Sequence, residues 1–291
     1  MKSNKDSGRV QDKIAVITGA ARGIGRAAAI ALAREGAHII GIDIAGPVSP
    51  NFELEPAATS DLEETGRAVQ EAGRRWLSIR LDVRNMAELR DAAEQIKRES
   101  GGLDIVFANA GIQGFKPLLE MEDADWHEQI EVNLTGTANT LRAFAPLLVE
   151  RGGGRIIVTS STQGRHGTKN GSSYSASKWG IIGLMKSAAL ELGEYNITVN
   201  ALIPGLVNTP LTRRQQRYAQ AIQAGGNKPT GNAKKDEEDA KKTLLKKTPL
   251  GVPWIEPEAI APAVVFLASD EAAMVSGATI DVTGGDSANN T

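Results

Sequence analysis

The chain has 291 residues, of which 41% are hydrophobic and 23% charged, and these proportions exclude a wholly disordered protein. A formal net charge of −2 argues against a nucleic-acid-binding protein, and no apolar run reaches the ~18–20 residues that span a bilayer. Cysteine is absent, which excludes disulfides and thiolate chemistry; with a polar start that lacks a secretory signal, this predicts a cytoplasmic protein without membrane or nucleic-acid partners.

Short apolar runs rich in β-branched residues alternate with amphipathic stretches along the chain. The runs predict strands buried on both faces, at residues 14–17, 39–42, 76–83, 105–108, 156–158, 197–203 and 279–282. The stretches between them predict helices after Ile24, at 60–73 with capping-box spacing, from Asn85, at 123–150, at 172–195 and at 257–268. Pro146 is expected to bend or shorten the fourth of these helices. The alternation predicts a parallel sheet with helices on both faces.

Two segments interrupt this alternation. Residues 45–59 contain three prolines and predict a loop insert. Residues 206–253 are polar and rich in lysine, and connections of this length in a compact domain are usually functional. We expect a substrate lid there; the alternative is a solvated surface insertion without a catalytic role.

A glycine-rich turn lies between the first strand and the first helix. It contains Gly19, Gly23 and Gly25, with Arg22 and Ile24 between them. Such a turn allows backbone N–H groups and the helix N-terminus to face a pyrophosphate. The position of the turn favours a dinucleotide site over an ordinary strand-to-helix connection.

Asp43 ends the second predicted strand, eighteen positions after Gly25. A carboxylate there can accept hydrogen bonds from the adenine ribose and repel a 2′-phosphate. Arg22 could instead attract that phosphate, but the residue after Asp43 is Ile44 and not arginine. The pattern therefore predicts NAD in preference to NADP.

Tyr174 and Lys178 stand four positions apart and share one face of a predicted helix. A neighbouring ammonium would favour the phenolate and lower the tyrosine pKa, which makes the pair a candidate general acid/base. Alone, this spacing is common and mostly structural. Here it coincides with polar or glycine-containing ends of three predicted strands, at Ser161, at residues 109–111 and at Pro204-Gly205. Ligands bind at that edge of open α/β sheets.

Taken together, these motifs resemble the short-chain dehydrogenase/reductase family. The resemblance runs from about residue 14 to residue 285, and its marks are residues 18–25, Asp82, residues 109–111, Asn133, Ser161, residues 174–178, Pro204, Gly205 and Thr209. The insert, with residues 61–65, 72–75 and 253–257, is similar to carveol-dehydrogenase-like members linked to mycofactocin.

The resemblance implies a role for each matching residue. Tyr174 would donate or accept the proton, and Lys178 would hold the nicotinamide ribose and lower the pKa of Tyr174. Ser161 would bind the substrate oxygen, and Asn133 would hold a relay water behind Lys178. The implied cofactor contacts are Gly19, Arg22, Gly23, Ile24, Gly25, Asp43, Ile44, Asp82, Val83, Asn109, Ala110, Gly111, Tyr174, Lys178, Pro204, Gly205, Val207 and Thr209. No metal site is expected, and His166 is a candidate substrate contact.

We therefore predict one doubly wound α/β domain of the Rossmann type over residues 1–291, with a seven-stranded parallel sheet in the order 3-2-1-4-5-6-7. The expected function is hydride transfer between NAD(H) and a secondary alcohol or ketone. The alternatives are an NAD-sensing regulatory protein without turnover, and an isomerase or dehydratase that uses bound NAD transiently. Apolar helix surfaces beyond one core stripe, together with the family resemblance, predict a homotetramer.

Overall fold

The computed structural model describes residues 8–50 and 55–289. Seven strands form one sheet in the order β3-β2-β1-β4-β5-β6-β7, and every neighbouring pair is parallel. Their bounds are β1 Ile14–Thr18, β2 His38–Asp43, β3 Trp76–Arg80, β4 Ile105–Ala108, β5 Gly154–Thr159, β6 Ile197–Pro204 and β7 Thr279–Val282. The predicted fold class and strand order are confirmed.

Helices cover both faces of the sheet, as predicted. Their bounds are α1 Gly23–Arg34, α2 Thr59–Glu71, α3 Met86–Ser100, α4 Asp123–Gln129, α5 Gly136–Arg151, α6 Ser172–Leu192, α7 Gln215–Ala224, α8 Ala233–Lys247 and α9 Pro257–Ala268. Side chains alternate between the two faces along each strand. Val16 of β1 therefore packs in the cluster under α3, α5 and α6, and Ile17 in the cluster under α1 and α9. None of the helices in the described ranges is both long and apolar enough to cross a bilayer.

The third strand is shorter than the predicted 76–83, since it ends at Arg80. The Asp82 carboxylate accepts hydrogen bonds from the backbone N and the Nε of Arg84, at 2.9 and 2.8 Å, and so folds the chain into a turn. Asn85 then begins α3 as predicted, because its side chain accepts from the backbone N of Ala87 and Glu88.

The predicted capping box of α2 is wrong by two positions. The helix begins at Thr59, and the Asp61 carboxylate accepts from the backbone N of Ala58 at 2.7 Å. Ser60 and Glu63, which have the predicted spacing, are therefore both inside the helix. Asp61 acts at the third helical position because acceptors there reach back to the residue before the helix.

The single helix predicted at 123–150 is divided. A π-helical segment, Ile130–Thr135, separates α4 from α5. Its wider turns are accompanied by a hydrogen bond from Thr137 Oγ1 to the carbonyl of Asn133 at 2.6 Å. Pro146 is exposed and lies inside α5 without ending it, since the helix continues to Arg151. The helix predicted at 172–195 ends at Leu192 and is followed by a 3-10 turn, Gly193–Tyr195.

Residues 206–253 contain two helices, α7 and α8, which pack against each other. They share a small core with Trp254, the residue after this segment, and its buried members within the segment are Tyr218, Ile222 and Ala240. Arg213 closes this core, because its guanidinium lies 4.2 Å from the centre of the Trp254 ring and forms an ion pair with Glu237. We call residues 206–253 the lid segment. The 45–59 insert lacks helix or strand at the described residues before α2; its residues 51–54 lie outside the described residues.

Candidate active site

A cleft of about 700 Å³ opens at the carboxyl edge of the sheet. Its lining comes from the ends of the central strands, from the insert and from the lid segment. It includes every predicted site residue except two, Gly25 and Asn133. Among the described ranges, no group of three or more histidine, aspartate or glutamate side chains is placed to hold a metal ion.

The glycine-rich turn packs too closely for side chains at two of its positions. A Cβ at Gly25 would stand 2.0 Å from the carbonyl oxygen of Gly19. Gly19 itself has φ +70°, and a Cβ there would lie 2.9 Å from Cα of Ala110. Gly25 therefore acts from outside the cleft lining. Its lack of a side chain lets the first turn of α1 pack directly on the end of β1.

Arg26 and Thr65 hold this turn from the side away from the cleft. Arg26 donates to the carbonyl of Ala21 through Nε and Nη2, at 2.9 and 2.7 Å, and Thr65 Oγ1 donates to the carbonyl of Ala20 at 3.0 Å. Neither residue was predicted from the sequence. No local pattern marks them, because Thr65 reaches the turn only through the packing of α2 on α1.

Asp43 joins the end of β2 to the turn. Its carboxylate accepts from the backbone N of Ala21 at 3.0 Å and of Ala45 at 2.9 Å. The guanidinium of Arg22 donates to the carbonyl of Glu55 in the insert. Asp43 and Arg22 both line the cleft, together with Ile44. The insert therefore holds the Arg22 guanidinium, whereas the Asp43 carboxylate remains at the end of β2.

The floor of the cleft is held by a network between strand ends. Thr18 Oγ1 accepts from the backbone N of Asn109 and Ala110, at 3.0 and 3.1 Å, and Thr159 Oγ1 donates to Asn109 Oδ1 at 3.2 Å. This network ties β1, β4 and β5 together directly below Gly111. Farther along the edge, Asp82 lines the cleft with its carboxylate bound to Arg84, and Val83 follows it.

The lid side of the cleft begins at the end of β6. Pro204, Gly205, Val207 and Thr209 all line it. Val207 forms a parallel bridge with Ile255, which anchors the start of the lid segment to its end. The methyl group of Thr209 faces the glycine-rich turn, where a Cβ at Gly23 would approach it to 3.0 Å.

Tyr174, Lys178 and Ser161 converge at the centre of the cleft. Tyr174 and Lys178 are buried on α6, and the hydroxyl of Tyr174 is hydrogen-bonded to Ser161. Lys178 Nζ donates to the carbonyl of Thr159 at 2.8 Å and lies 5.6 Å from the centre of the Tyr174 ring. A buried phenol and a buried amine so close together can hold and move a proton.

The electrostatics of this group differ from the prediction that Lys178 lowers the pKa of Tyr174. Burial raises the pKa of Tyr174, while the Ser161 hydrogen bond and the positive charge of Arg217 act in the opposite direction. Burial also lowers the pKa of Lys178 to about 7. The positive charge that acts on the phenol in this structure is that of Arg217, from the lid segment.

Asn133 lies behind the cleft, in the π-helical segment. Its side chain bonds both backbone groups of Ile112, accepting from N at 2.8 Å and donating to O at 3.0 Å. Its Nδ2 also donates to Ser177 Oγ at 3.1 Å. A Cβ at Gly111 would meet Asn133 Oδ1 at 3.0 Å and Lys178 Nζ at 3.6 Å, so both groups lie close to Gly111.

Comparison with known proteins gives a consistent result along the whole chain. The family model for short chain dehydrogenase matches residues 13–220, and a model described as enoyl-(acyl carrier protein) reductase matches residues 219–287. The chain is 38% identical to (−)-trans-carveol dehydrogenase of Rhodococcus erythropolis, over 95% of this chain and 98% of that protein.

Two further matches concern the cofactor. The crystal structure of carveol dehydrogenase from Mycobacterium avium in complex with NAD superimposes with a TM-score of 0.89 at 38% identity, covering 96% of this chain and 99% of that one. A protein of Mycobacterium tuberculosis described as an uncharacterized NAD-dependent oxidoreductase is 45% identical over 70% of this chain and 74% of its own length.

Proposed function

Because this chain belongs to the short-chain dehydrogenase/reductase family, and is carveol-dehydrogenase-like within it, we propose that it transfers a hydride between NAD and a secondary alcohol or ketone. The observation that carries the proposal is the buried group at the centre of the cleft. There the Tyr174 hydroxyl is bonded to Ser161, and Lys178 Nζ lies 5.6 Å from the Tyr174 ring centre.

NAD is the cofactor, and the residues of the cleft fit it. The close packing of Gly25 on Gly19 makes a tight turn into α1, so the N-terminal N–H groups of α1 can donate hydrogen bonds to a pyrophosphate. Asp43 stands at the strand end where an adenine ribose is expected. When bound, NAD supplies the carbon that accepts or donates the hydride.

The side chains of the cleft supply positioning and the proton. Ser161 would hold the substrate oxygen, and Tyr174 Oη would remove its proton during oxidation or return it during reduction. Lys178 would hold the nicotinamide ribose hydroxyls, and its pKa of about 7 allows it to pass a proton near neutral pH. Asn133 would support the group through Ile112 and Ser177, and a relay water behind Lys178 would be held from this position.

A set of secondary alcohols assayed with NAD tests the proposal. We expect NADH formation from at least one of the cyclic, terpenoid, steroid or sugar alcohols in the set. NAD binding without turnover of any alcohol would indicate a sensor instead. Conversion of a substrate without net NADH would indicate an isomerase or dehydratase that uses NAD transiently.

The choice of cofactor tests Asp43 directly. We expect kcat/KM for NAD to exceed that for NADP at least about 100-fold, because a carboxylate facing a 2′-phosphate costs several kcal/mol. Asp43→Asn should narrow this ratio, whereas Asp123→Asn, the same charge change at an exposed site on α4, should not. Equal values in the wild type would mean that Arg22 outweighs Asp43.

We further propose that the chain is a single dehydrogenase domain and that its lid segment closes over the substrate. We also propose that four copies assemble into a homotetramer, which works in the cytoplasm. Two large side chains on α6 support the assembly, since Trp179 is 53% and Leu190 is 86% exposed in the single chain. Apolar surface of this kind is usually covered by another subunit. Light scattering at micromolar concentration should give the mass of four chains, and a monomer would contradict the proposal.

A further inference from the structure

Arg217 brings a positive charge from the lid segment to the reaction centre. It lies on α7 and lines the cleft together with Tyr174. Its positive charge acts to lower the pKa of the Tyr174 hydroxyl. Its guanidinium lies 4.9 Å from the centre of the Phe115 ring and donates to the side chain of Gln220. Neither contact neutralises its charge.

Neighbouring arginines of the lid segment are used differently. Arg213 is paired with Glu237, and Arg214 donates to the carbonyl of Gln113. Arg217 forms no ion pair with any residue of the described ranges, and its buried Nε has no hydrogen-bond partner there. Burial lowers its pKa to about 10, so it remains charged at neutral pH.

None of the acidic residues that line the cleft forms an ion pair with Arg217. Four acidic residues line it, and they are Asp43, Glu55, Asp82 and Asp286. Asp43 is bound to the backbone, Asp82 to Arg84, and Asp286 to Lys247 at 3.1 Å, while Glu55 belongs to the insert next to Arg22. A partly buried guanidinium without a carboxylate partner is costly, and a bound anion recovers that cost.

We propose that Arg217 binds a carboxylate carried by the substrate, so that the enzyme acts on a secondary alcohol or ketone bearing an acid group. A guanidinium has five N–H donors and binds a carboxylate through two parallel hydrogen bonds. Its position on the lid, facing Tyr174, would fix the distance between the acid group and the reacting carbon. This inference rests on the proposed function for the reaction and on Arg217 for the substrate class.

Matched pairs of acids and amides provide the test. Binding of cyclohexanecarboxylate and cyclohexanecarboxamide to the NAD-loaded enzyme is measured by calorimetry, with open-chain pairs of similar size. Turnover is measured with the corresponding 3-hydroxy compounds. We expect the acids to bind and react at least about tenfold better than the amides.

Three variants test whether the guanidinium of Arg217 recognises the acid group. Arg217→Gln should lower the affinity for the acids by about 30- to 100-fold and leave the affinity for the amides within threefold. Arg217→Lys should retain part of the preference, because it keeps the charge but loses the paired donors. Lys228→Gln, the same loss of charge at an exposed lid position, should change neither, and thermal unfolding of each variant checks its folding.

The results that would contradict the carboxylate site differ from those that would contradict hydride transfer. Equal binding of acids and amides, with NADH formed from neutral alcohols, would overturn only the carboxylate site. An equal loss for both classes in Arg217→Gln, with the pH profile of kcat moved to higher pH, would show that Arg217 acts only on Tyr174. Acid-selective binding without NADH from any alcohol would overturn hydride transfer and leave the carboxylate site in place.

Discussion

Replacing Tyr174 by phenylalanine is expected to lower kcat by about 10²- to 10⁴-fold, the usual contribution of a general acid or base. Phenylalanine keeps the buried ring on α6 and removes only the hydroxyl that is bonded to Ser161. NAD affinity should therefore change little. Steady-state kinetics with a reactive alcohol, together with fluorescence titration of NADH, measure both quantities.

The pH dependence of the same variant adds a second readout. Burial raises the pKa of Tyr174, and oxidation of an alcohol needs the phenolate, so the oxidation rate should rise with pH. Reduction needs the neutral phenol and should be flat near neutral pH. The rising limb should be absent in Tyr174→Phe and present in Tyr195→Phe, the same chemical change at an exposed position. Turnover of Tyr174→Phe within tenfold of wild type would contradict the assignment.

Replacing residues 225–242 by a short glycine-serine linker is expected to lower kcat/KM for the alcohol by about 100-fold or more, with little change in NAD affinity. The replaced stretch supplies Ala240 to the lid core and Glu237 to Arg213. Without them, α7 would lose the surface that positions Arg217. Closing segments exclude water and complete the site, so their loss affects turnover more than cofactor binding.

A smaller replacement is the control for this experiment. Exchanging only Lys228 and Pro229, at the exposed connection between α7 and α8, leaves both helices and their core intact and should leave the kinetics unchanged. If the larger replacement also left steady-state kinetics unchanged, the central part of the segment would have no role in catalysis. A large loss of NAD affinity would instead place it in the cofactor site.

The sheet was predictable from the sequence because its central strands, among them β1, β4 and β6, are short runs that are rich in β-branched residues and buried on both faces. The edge strands β3 and β7 are only partly buried. The exact ends of helices were not predictable where two side chains could fill the same capping role. At α2, both Asp61 and Glu63 have the spacing of a capping residue, and only the packed structure selects Asp61. The π-helical segment was missed for a related reason, since Thr137 can bond the carbonyl of Asn133 in more than one helical geometry.

The positions of the site residues were predictable from strand ends and from the family resemblance, but their charges were not. The resemblance implies that Lys178 lowers the pKa of Tyr174, whereas burial acts on both groups and depends on everything packed around them. Arg217 is separated from Tyr174 by 43 positions of sequence and reaches it only because α7 folds back over the cleft. No local pattern distinguishes it from Arg213 or Arg214.

The small core of the lid segment is separate from the cores that stabilise the sheet. Tyr218, Ile222, Ala240 and Trp254 share no member with the two clusters that stabilise the sheet. Substitutions in regions without shared partners have nearly additive effects on the free energy of unfolding. Helices α7 and α8 can therefore be redesigned with little loss of stability in the sheet, whereas Val207 and Val252, near the ends of the lid segment, pack in the cluster under α1 and α9. Substitutions confined to the lid segment can therefore change the substrate range without changing the residues at the strand ends that hold NAD.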